Sequence, residues 1–429
     1  MPQSVLCEGL LPPQGEPALI AVKPVVILIR IGRDTLLTFD RQGRLYSAFA
    51  GDRFYRRGLD NNVVVRGRRG SQVMPTLAFH SMGDEDRQAF LAWVLAQVQR
   101  VTEAMAEGRI WLRPFQEASP EALTQVRTAL GAILQYNPSR LEEEGRAFAT
   151  LCPPPRILPP DQLLALVLQL TEGCSWNRCA YCQLYRDRPF RIKPPAEFLA
   201  HIQQVKAFLG PALAFRRSIF LGDGDALAVP QQHLSKTLDL IHAEFEISQL
   251  SAPVRDCASP RFTGIYAFMD AFDLHGRSPL DFEALARRGL RRIYCGLDTG
   301  DDGLLKFLAR RGKSADAWET ISTLKEGGIP VGLIILLGAG GSFFAQSHVQ
   351  ETVRLLNALP LTSEDIIYFS PLVIHPGSDY DLKAQRLGIP PLSREALEEQ
   401  RQAIIDELRY TDPERPPKLA PFDIRGFVY

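Results

Sequence analysis

The sequence has no surplus of either charge: 49 Lys and Arg residues stand against 49 Asp and Glu. That balance argues against a general nucleic-acid footprint, which needs a basic excess to displace counterions. No apolar run approaches the roughly 20 residues that a membrane-spanning helix requires. The early apolar stretch is broken by Lys23 and Pro24 and followed by Arg30, so no secretory leader is expected and a cytoplasmic setting is. Internal repeats and low-complexity tracts are missing. Cysteine is scarce, seven in 429 residues. Four of the seven (Cys7, Cys152, Cys257, Cys295) are too scattered to form a disulfide framework.

The other three are crowded. Thr171–Cys182 reads TEGCSWNRCAYC, with four residues between Cys174 and Cys179 and two between Cys179 and Cys182. An odd triad leaves one sulfur over in any disulfide scheme, but it suits a metal centre with one position open. Iron–sulfur clusters are held by Cys thiolates, usually four, so three from one loop leave one iron free for an outside ligand. Two plainer readings stand beside this. One is a zinc knob completed by a distant His201 or Cys257, although no second two-cysteine knuckle exists. The other is three ordinary buried thiols.

Five prolines between Pro153 and Pro160 form a stiff linker and the clearest boundary in the chain. Residues 1–152 read as an α+β accessory region. Strands are expected at Val25–Ile31 and Thr35–Phe39, with a third after the turn at Gln42-Gly43, and helices at 84–107 and 120–134. Residues 161–380 then alternate strand, loop and helix. The expected strands are 164–170, 217–222, 264–269, 291–298, 330–338 and 365–374, which implies an α/β sheet or open barrel with active residues at the C-terminal strand ends. Residues 381–429 read as a helix and an extended tail.

The cysteine loop follows the first of these strands. Phe220–Leu227 (FLGDGDAL) ends the second, and Gly296–Gly300 (GLDTG) ends the fourth. This order resembles the radical S-adenosylmethionine (SAM) superfamily, whose usual cysteine gaps are three and two, with an aromatic before the last cysteine. Tyr181 matches that aromatic, whereas the four-residue first gap marks a divergent subgroup. GLDTG resembles the Gly-Leu-Glu-Ser-Gly segment of the oxygen-independent coproporphyrinogen oxidase and elongator-like branch.

The resemblance implies a partial (β/α)6 barrel in which Cys174, Cys179 and Cys182 hold one 4Fe-4S cluster. It implies that SAM contacts Tyr181, Gly224, Asp225 and Asp298. Asp225, with Asp223 as second choice, would receive the methionine ammonium, and Asp298 the ribose. Thr299, Asp301 or Asp302 could instead cap the following helix. The small residues Ala339-Gly340-Gly341 after the fifth strand would suit an adenine. His375 lies near the expected substrate face. The implied activity is reductive cleavage of SAM to a 5′-deoxyadenosyl radical, which takes hydrogen from a small-molecule substrate. The implied electron donor is a flavodoxin or ferredoxin.

Two alternatives remain open at this level. One is a radical RNA-modifying enzyme using the arginines between Arg41 and Arg69, which read first as a solvated face and second as an anion patch. The other is a non-catalytic zinc-binding scaffold.

Overall fold

The computed structural model describes residues 4–67, 79–113, 120–248, 261–410 and 412–429. The first part is a nine-stranded antiparallel sheet. Its strands are β1 (Val5–Leu11), β2 (Glu16–Val22), β3 (Ile27–Ile31), β4 (Thr35–Phe39), β5 (Leu45–Ala50), β6 (Arg53–Arg57), β7 (Val63–Gly67), β8 (Phe79–Ser81) and β9 (Ile110–Leu112). Alternation builds it: Cys7, Ile20, Ile29 and Leu37 all point inward and are fully buried. They pack under Phe90, Leu91, Val94 and Val98 of α1 (Asp84–Ala106) and under Val126 and Leu130 of α2 (Pro120–Leu134).

The sequence reading foresaw three of these strands. β1 and β2 escaped it because their outer faces carry Leu6, Leu10 and Leu19, which blur the period-two pattern. α3 (Pro138–Leu151) was also unforeseen, though Asn137 caps it by accepting from Arg140 N and Pro138 opens it.

The second part is a parallel sheet of seven strands whose spatial order follows the chain. It runs β10 (Ala165–Gln169), β13 (Ser218–Gly222), β16 (Ile265–Met269), β17 (Leu290–Asp298), β18 (Val331–Leu337), β19 (Ile366–Pro371) and β20 (Lys418–Pro421). Two short ladders accompany it, β11 (Thr171–Glu172) with β12 (Arg191–Ile192) and β14 (Glu246–Ile247) with β15 (Arg261–Phe262). Helices α4 (Pro195–Leu209), α5 (Gln231–Glu244), α6 (Pro279–Arg287), α7 (Asp302–Phe307), α8 (Ser314–Glu326) and α9 (Gly341–Ala358) fill the crossovers. α10 (Asp379–Arg386) and α11 (Arg394–Glu407) lead to the last strand.

Helices bury the outer face of the strands and side chains packed in the interior bury the inner face, which is why β10, β13 and β18 are almost wholly apolar. The first six strands lie where the sequence places them. The seventh differs: the expected tail pairs alongside β19, Ile366 opposite Lys418. Four residues ending in proline carry no legible strand signal.

Aromatic rings fill the barrel. Phe220, Phe268, Tyr294 and Tyr368 touch in series, and Gly332 is bare because a methyl there would lie 2.4 Å from the Tyr294 ring. Both phenols donate to Asp161, at 2.6 Å from Tyr294 and 2.7 Å from Tyr368, and Arg292 adds an ion pair at 3.2 Å. Among the described residues no helix is long and apolar enough to cross a membrane. Asp161→Ala leaves two buried phenols without their acceptor, while Arg292 keeps Glu364 O, and should cost about 1–3 kcal/mol of stability. Urea unfolding with an unchanged midpoint would contradict this.

Candidate functional site

The cysteine loop leaves the end of β10 and is pinched where Thr171 and Glu172 pair with Ile192 and Arg191. Inside it, Arg186 donates to three backbone carbonyls, those of Asn177 (2.9 Å), Cys179 (2.8 Å) and Cys182 (3.2 Å). Outside, Ala180 N donates to Leu308 O, Trp176 Nε1 to Ala309 O, and Tyr380 N to Ala180 O. The loop is therefore braced from its own interior and against both α7 and the start of α10. Burial pushes all three thiols upward, Cys182 to about 12, with the neighbouring cysteines adding to the shift for Cys174 and Cys182. Thiols in this setting become thiolates only when a cation faces them, as a metal centre does.

The Gly/Asp segment after β13 supports the loop from below. Asp223 accepts from Gln169 Nε2 (3.0 Å), Gly173 N (3.2 Å) and Arg188 Nη1 (2.7 Å), while Gly224 N donates to Gly173 O (3.0 Å). Gly224 must lack a side chain, because a methyl would sit 2.8 Å from Tyr185 and 3.2 Å from Cys174 Cβ. Asp223 is thus fully engaged in structure.

Asp225 differs. Its Oδ2 accepts from Ser175 Oγ (2.5 Å) and pairs with His275 Nε2 (3.2 Å), but its buried Oδ1 has no hydrogen-bond partner. A buried acceptor without a partner is costly, so it marks a place for a donor.

Asp298, with φ of 61°, turns its carboxylate inward. Its Oδ2 accepts from Tyr181 OH (2.7 Å) and faces Arg310 Nε (3.1 Å). Helix capping falls to Asp301, which accepts from Gly303 N and Leu304 N. Behind Asp298, Thr299 bonds His348 Nδ1 at 2.7 Å. Arg310 joins these parts: it also donates to Cys179 Sγ (3.2 Å) and Gly296 O (2.6 Å), and lies 3.8 Å from Asp270.

Cys174, Cys182, Tyr181, Gly224, Asp225 and Asp298 all line one cavity of about 190 Å³. Cys179 lies behind its wall, linked through Arg310. His375 also lines it, and Ile157, Leu372, Val373 and Ile424 add apolar surface. Three expectations need correction. Ala339, Gly340 and Gly341 do not line this cavity; Ile334 and Leu336 from the same strand do, because Tyr380 OH and Phe344 occupy the space beside Gly340. His201 accepts from Gln169 N and so braces β10, and Cys257 lies outside the described residues. Of the arginine patch, Arg44, Arg56 and Arg57 are buried, and Arg68 and Arg69 lie outside the described residues.

Arg310, Asp270 and His275 were missed. Asp270 directly follows a core strand, a position where a functional acid could have been suspected. Arg310 sits in an Arg-Arg pair after a helix, which in sequence reads as solvated charge.

The donor set fits a cubane cluster with one iron left over: three thiols, no fourth cysteine in the loop, and a carboxylate oxygen nearby awaiting a donor. Among the described residues, no three His, Cys, Asp or Glu side chains converge as they do around one metal ion.

Residues 168–356 match the family model of the radical SAM superfamily. Proteins of this family use a 4Fe-4S cluster and SAM. The chain is similar to the heme chaperone HemW of Bacillus subtilis (strain 168), at 23% identity over 222 residues, 51% of this chain and 54% of that protein. It spans about half the length of that curated relative. Among solved structures it is similar to the methyltransferase TsrM from Kitasatospora setae, with cobalamin and a [4Fe-4S] cluster bound (17% identity, TM-score 0.38, 52% of this chain and 37% of that one). It is also similar to coproporphyrinogen III oxidase HemN from Escherichia coli (13% identity, TM-score 0.38, 61% and 54%).

Arg310→Met leaves Asp298 and Asp270 without their shared cation, and should destabilise the metal-free protein by about 3–5 kcal/mol. Arg310→Lys should restore only part of this, since an ammonium cannot fork to Asp298, Cys179 and Gly296 together; thermal unfolding of the three proteins checks the order. Burial pushes His348 down to about 4, so it stays neutral in the fold. The unfolded chain then binds this proton more readily, and stability falls as pH drops from about 6.5 toward 4. His348→Gln should flatten that decline, and an equal loss between pH 7 and 5 in both proteins would refute the assignment.

Proposed function

We propose that this chain is a radical SAM enzyme with one 4Fe-4S cluster, held by Cys174, Cys179 and Cys182, acting on a small molecule. The observation that carries the reading is the pairing, in one cavity region, of a three-thiol loop with Asp225, whose buried Oδ1 lacks a donor. An iron without a protein ligand would take up the amino and carboxylate groups of an amino acid, and the unpartnered carboxylate would accept an N–H of that same amino group. When bound, the cluster supplies the electron that splits the sulfonium of SAM into methionine and a 5′-deoxyadenosyl radical.

The protein's part is placement and exclusion of water. Asp225 receives an N–H of the amino group, fixed by Ser175 and His275 on its other oxygen. Gly224 lets the ligand approach the backbone. Asp298, oriented by Tyr181 and Arg310, faces the nucleoside hydroxyls. Ile157, Leu372, Val373 and Ile424 give the substrate end an apolar wall. In this reading residues 161–380 form the catalytic core, 1–152 an accessory region, and 381–429 a closing element.

An RNA substrate recruited by the Arg41–Arg69 segment has less support, because Arg44 is committed to Asp40, Glu144 and Phe208 O. A zinc scaffold loses His201 as its fourth ligand.

Anaerobically reconstituted protein should hold about four irons per chain and release 5′-deoxyadenosine from SAM under reducing conditions. Alanine at any of the three cysteines should abolish both. Asp225→Asn should keep the iron but raise the KM for SAM at least tenfold. Cluster-loaded protein that forms no 5′-deoxyadenosine, with or without cell extract, would overturn the reading, and about eight irons would overturn the single cluster.

A further inference from the structure

The nine-stranded sheet has one face under α1 and α2 and another that no helix covers. The open face of an antiparallel sheet is ordinarily polar, because every second residue meets water. Here it is apolar. Strand pairing sets Trp111 beside Glu8, Glu8 beside Leu19, Leu19 beside Arg30, Arg30 beside Leu36 and Leu36 beside Phe49, one straight row from β9 to β5. The adjacent outward row holds Leu6, Ala21 and Leu28. Trp111, Leu36 and Phe49 are 48%, 40% and 36% exposed, and Leu10 is 49% exposed. A contiguous apolar face of this kind is surface that a solitary protein seldom leaves in water. Two charges interrupt it. Arg30 donates Nε to Gly32 O at 3.2 Å, and among the described residues no carboxylate pairs with it. Glu8 sits two strands away, sharing its carboxylate with the exposed Arg113 at 3.1 Å.

We propose that this face is a homodimer interface, covered by the same face of a second copy of the chain. The row is its own complement. Glu8 and Arg30 flank Leu19 at equal distance on neighbouring strands, as do Trp111 and Leu36 one strand further out. A two-fold axis running along β2 above Leu19 exchanges the two sides of that strand. It sets Leu19 on its own image, Glu8 on the partner's Arg30, Trp111 on the partner's Leu36 and Leu6 on the partner's Leu28. An axis running across the strands would instead set Glu8 on Glu8 and Arg30 on Arg30. Only the first arrangement joins opposite charges, and it closes at two copies. Two such sheets stack face to face about 10 Å apart with their strands nearly aligned. Five strands at about 4.8 Å and seven residues at about 3.4 Å give a footprint of roughly 570 Å². That is the lower end of what specific interfaces bury per partner, so the dimer is a reversible one. It requires neither the cluster nor SAM.

The test is sedimentation equilibrium on the full-length protein, with and without its cluster, across the micromolar range. Wild type should pass reversibly from one copy to two. Leu19→Asp sets a carboxylate against its own image and should weaken association roughly a hundredfold, with circular dichroism checking that the chain still folds. Glu8→Arg and Arg30→Glu each set like charges together and should each weaken self-association roughly tenfold. Mixed one to one, these two variants should regain wild-type association, because every facing pair is again of opposite sign. A damaged fold cannot produce that recovery, so the charge pair decides the matter even where Leu19→Asp does not fold. Wild type that remains a single copy at high micromolar concentration would overturn the proposal, and so would folded Leu19→Asp that still pairs. Single variants that lose association without regaining it on mixing would overturn the pairing about β2. None of these results touches the assignment of the cysteine loop.

Discussion

One buried carboxylate holds the site together. Asp223 takes a guanidinium from Arg188, a backbone N–H from Gly173 and a side-chain amide from Gln169, so it binds the root of the cysteine loop, the loop's return and the first core strand at a single point. Burial pushes this carboxyl upward, and Arg188 and the N–H donors pull against it. The desolvation of both ions is large enough that the pair adds little net stability, but removing either partner leaves a charge stranded in the interior. The interaction therefore fixes geometry more than it adds free energy. With Asp223 fixed, Gly224 is pressed to the loop and Asp225 is aimed into the cavity two residues on.

A second, largely enclosed charge plays the complementary part on the far wall. Arg310 links Cys179, Gly296, Asp298 and Asp270, elements drawn from the cysteine loop, two strand ends and the segment after α7. Asp223 positions the loop against the early strands, and Arg310 positions it against the later ones. Tyr181 completes the circuit by donating to the carboxylate that Arg310 orients. The cavity is thus framed by two ion networks anchored on a rigid parallel sheet, the arrangement that holds reactive groups to sub-ångström tolerance.

Much of this was legible in the residues. The six apolar strands of the core announce themselves because both of their faces are buried, and the cysteine triad because thiols do not crowd without reason. GDGD and GLDTG stood out as glycine and acid at strand ends. The remainder was hidden for physical causes. The choice between Asp223 and Asp225 depends on which carboxylate the loop consumes, and only three dimensions reveal that. Arg310 and Lys306 look alike in sequence, although one is largely enclosed by four partners and the other is exposed. Only three of the nine antiparallel strands were seen, and leucines on the outer faces of β1 and β2 mask their alternation. β20 was invisible, since four residues pair with β19 through backbone bonds that no side chain advertises.

The phenols on Asp161 have a consequence for access. Tyr294, Tyr368 and their aromatic neighbours pack the interior on the side of Asp161. That packed floor closes the route from beneath and leaves access to the cavity to the loops at the strand ends.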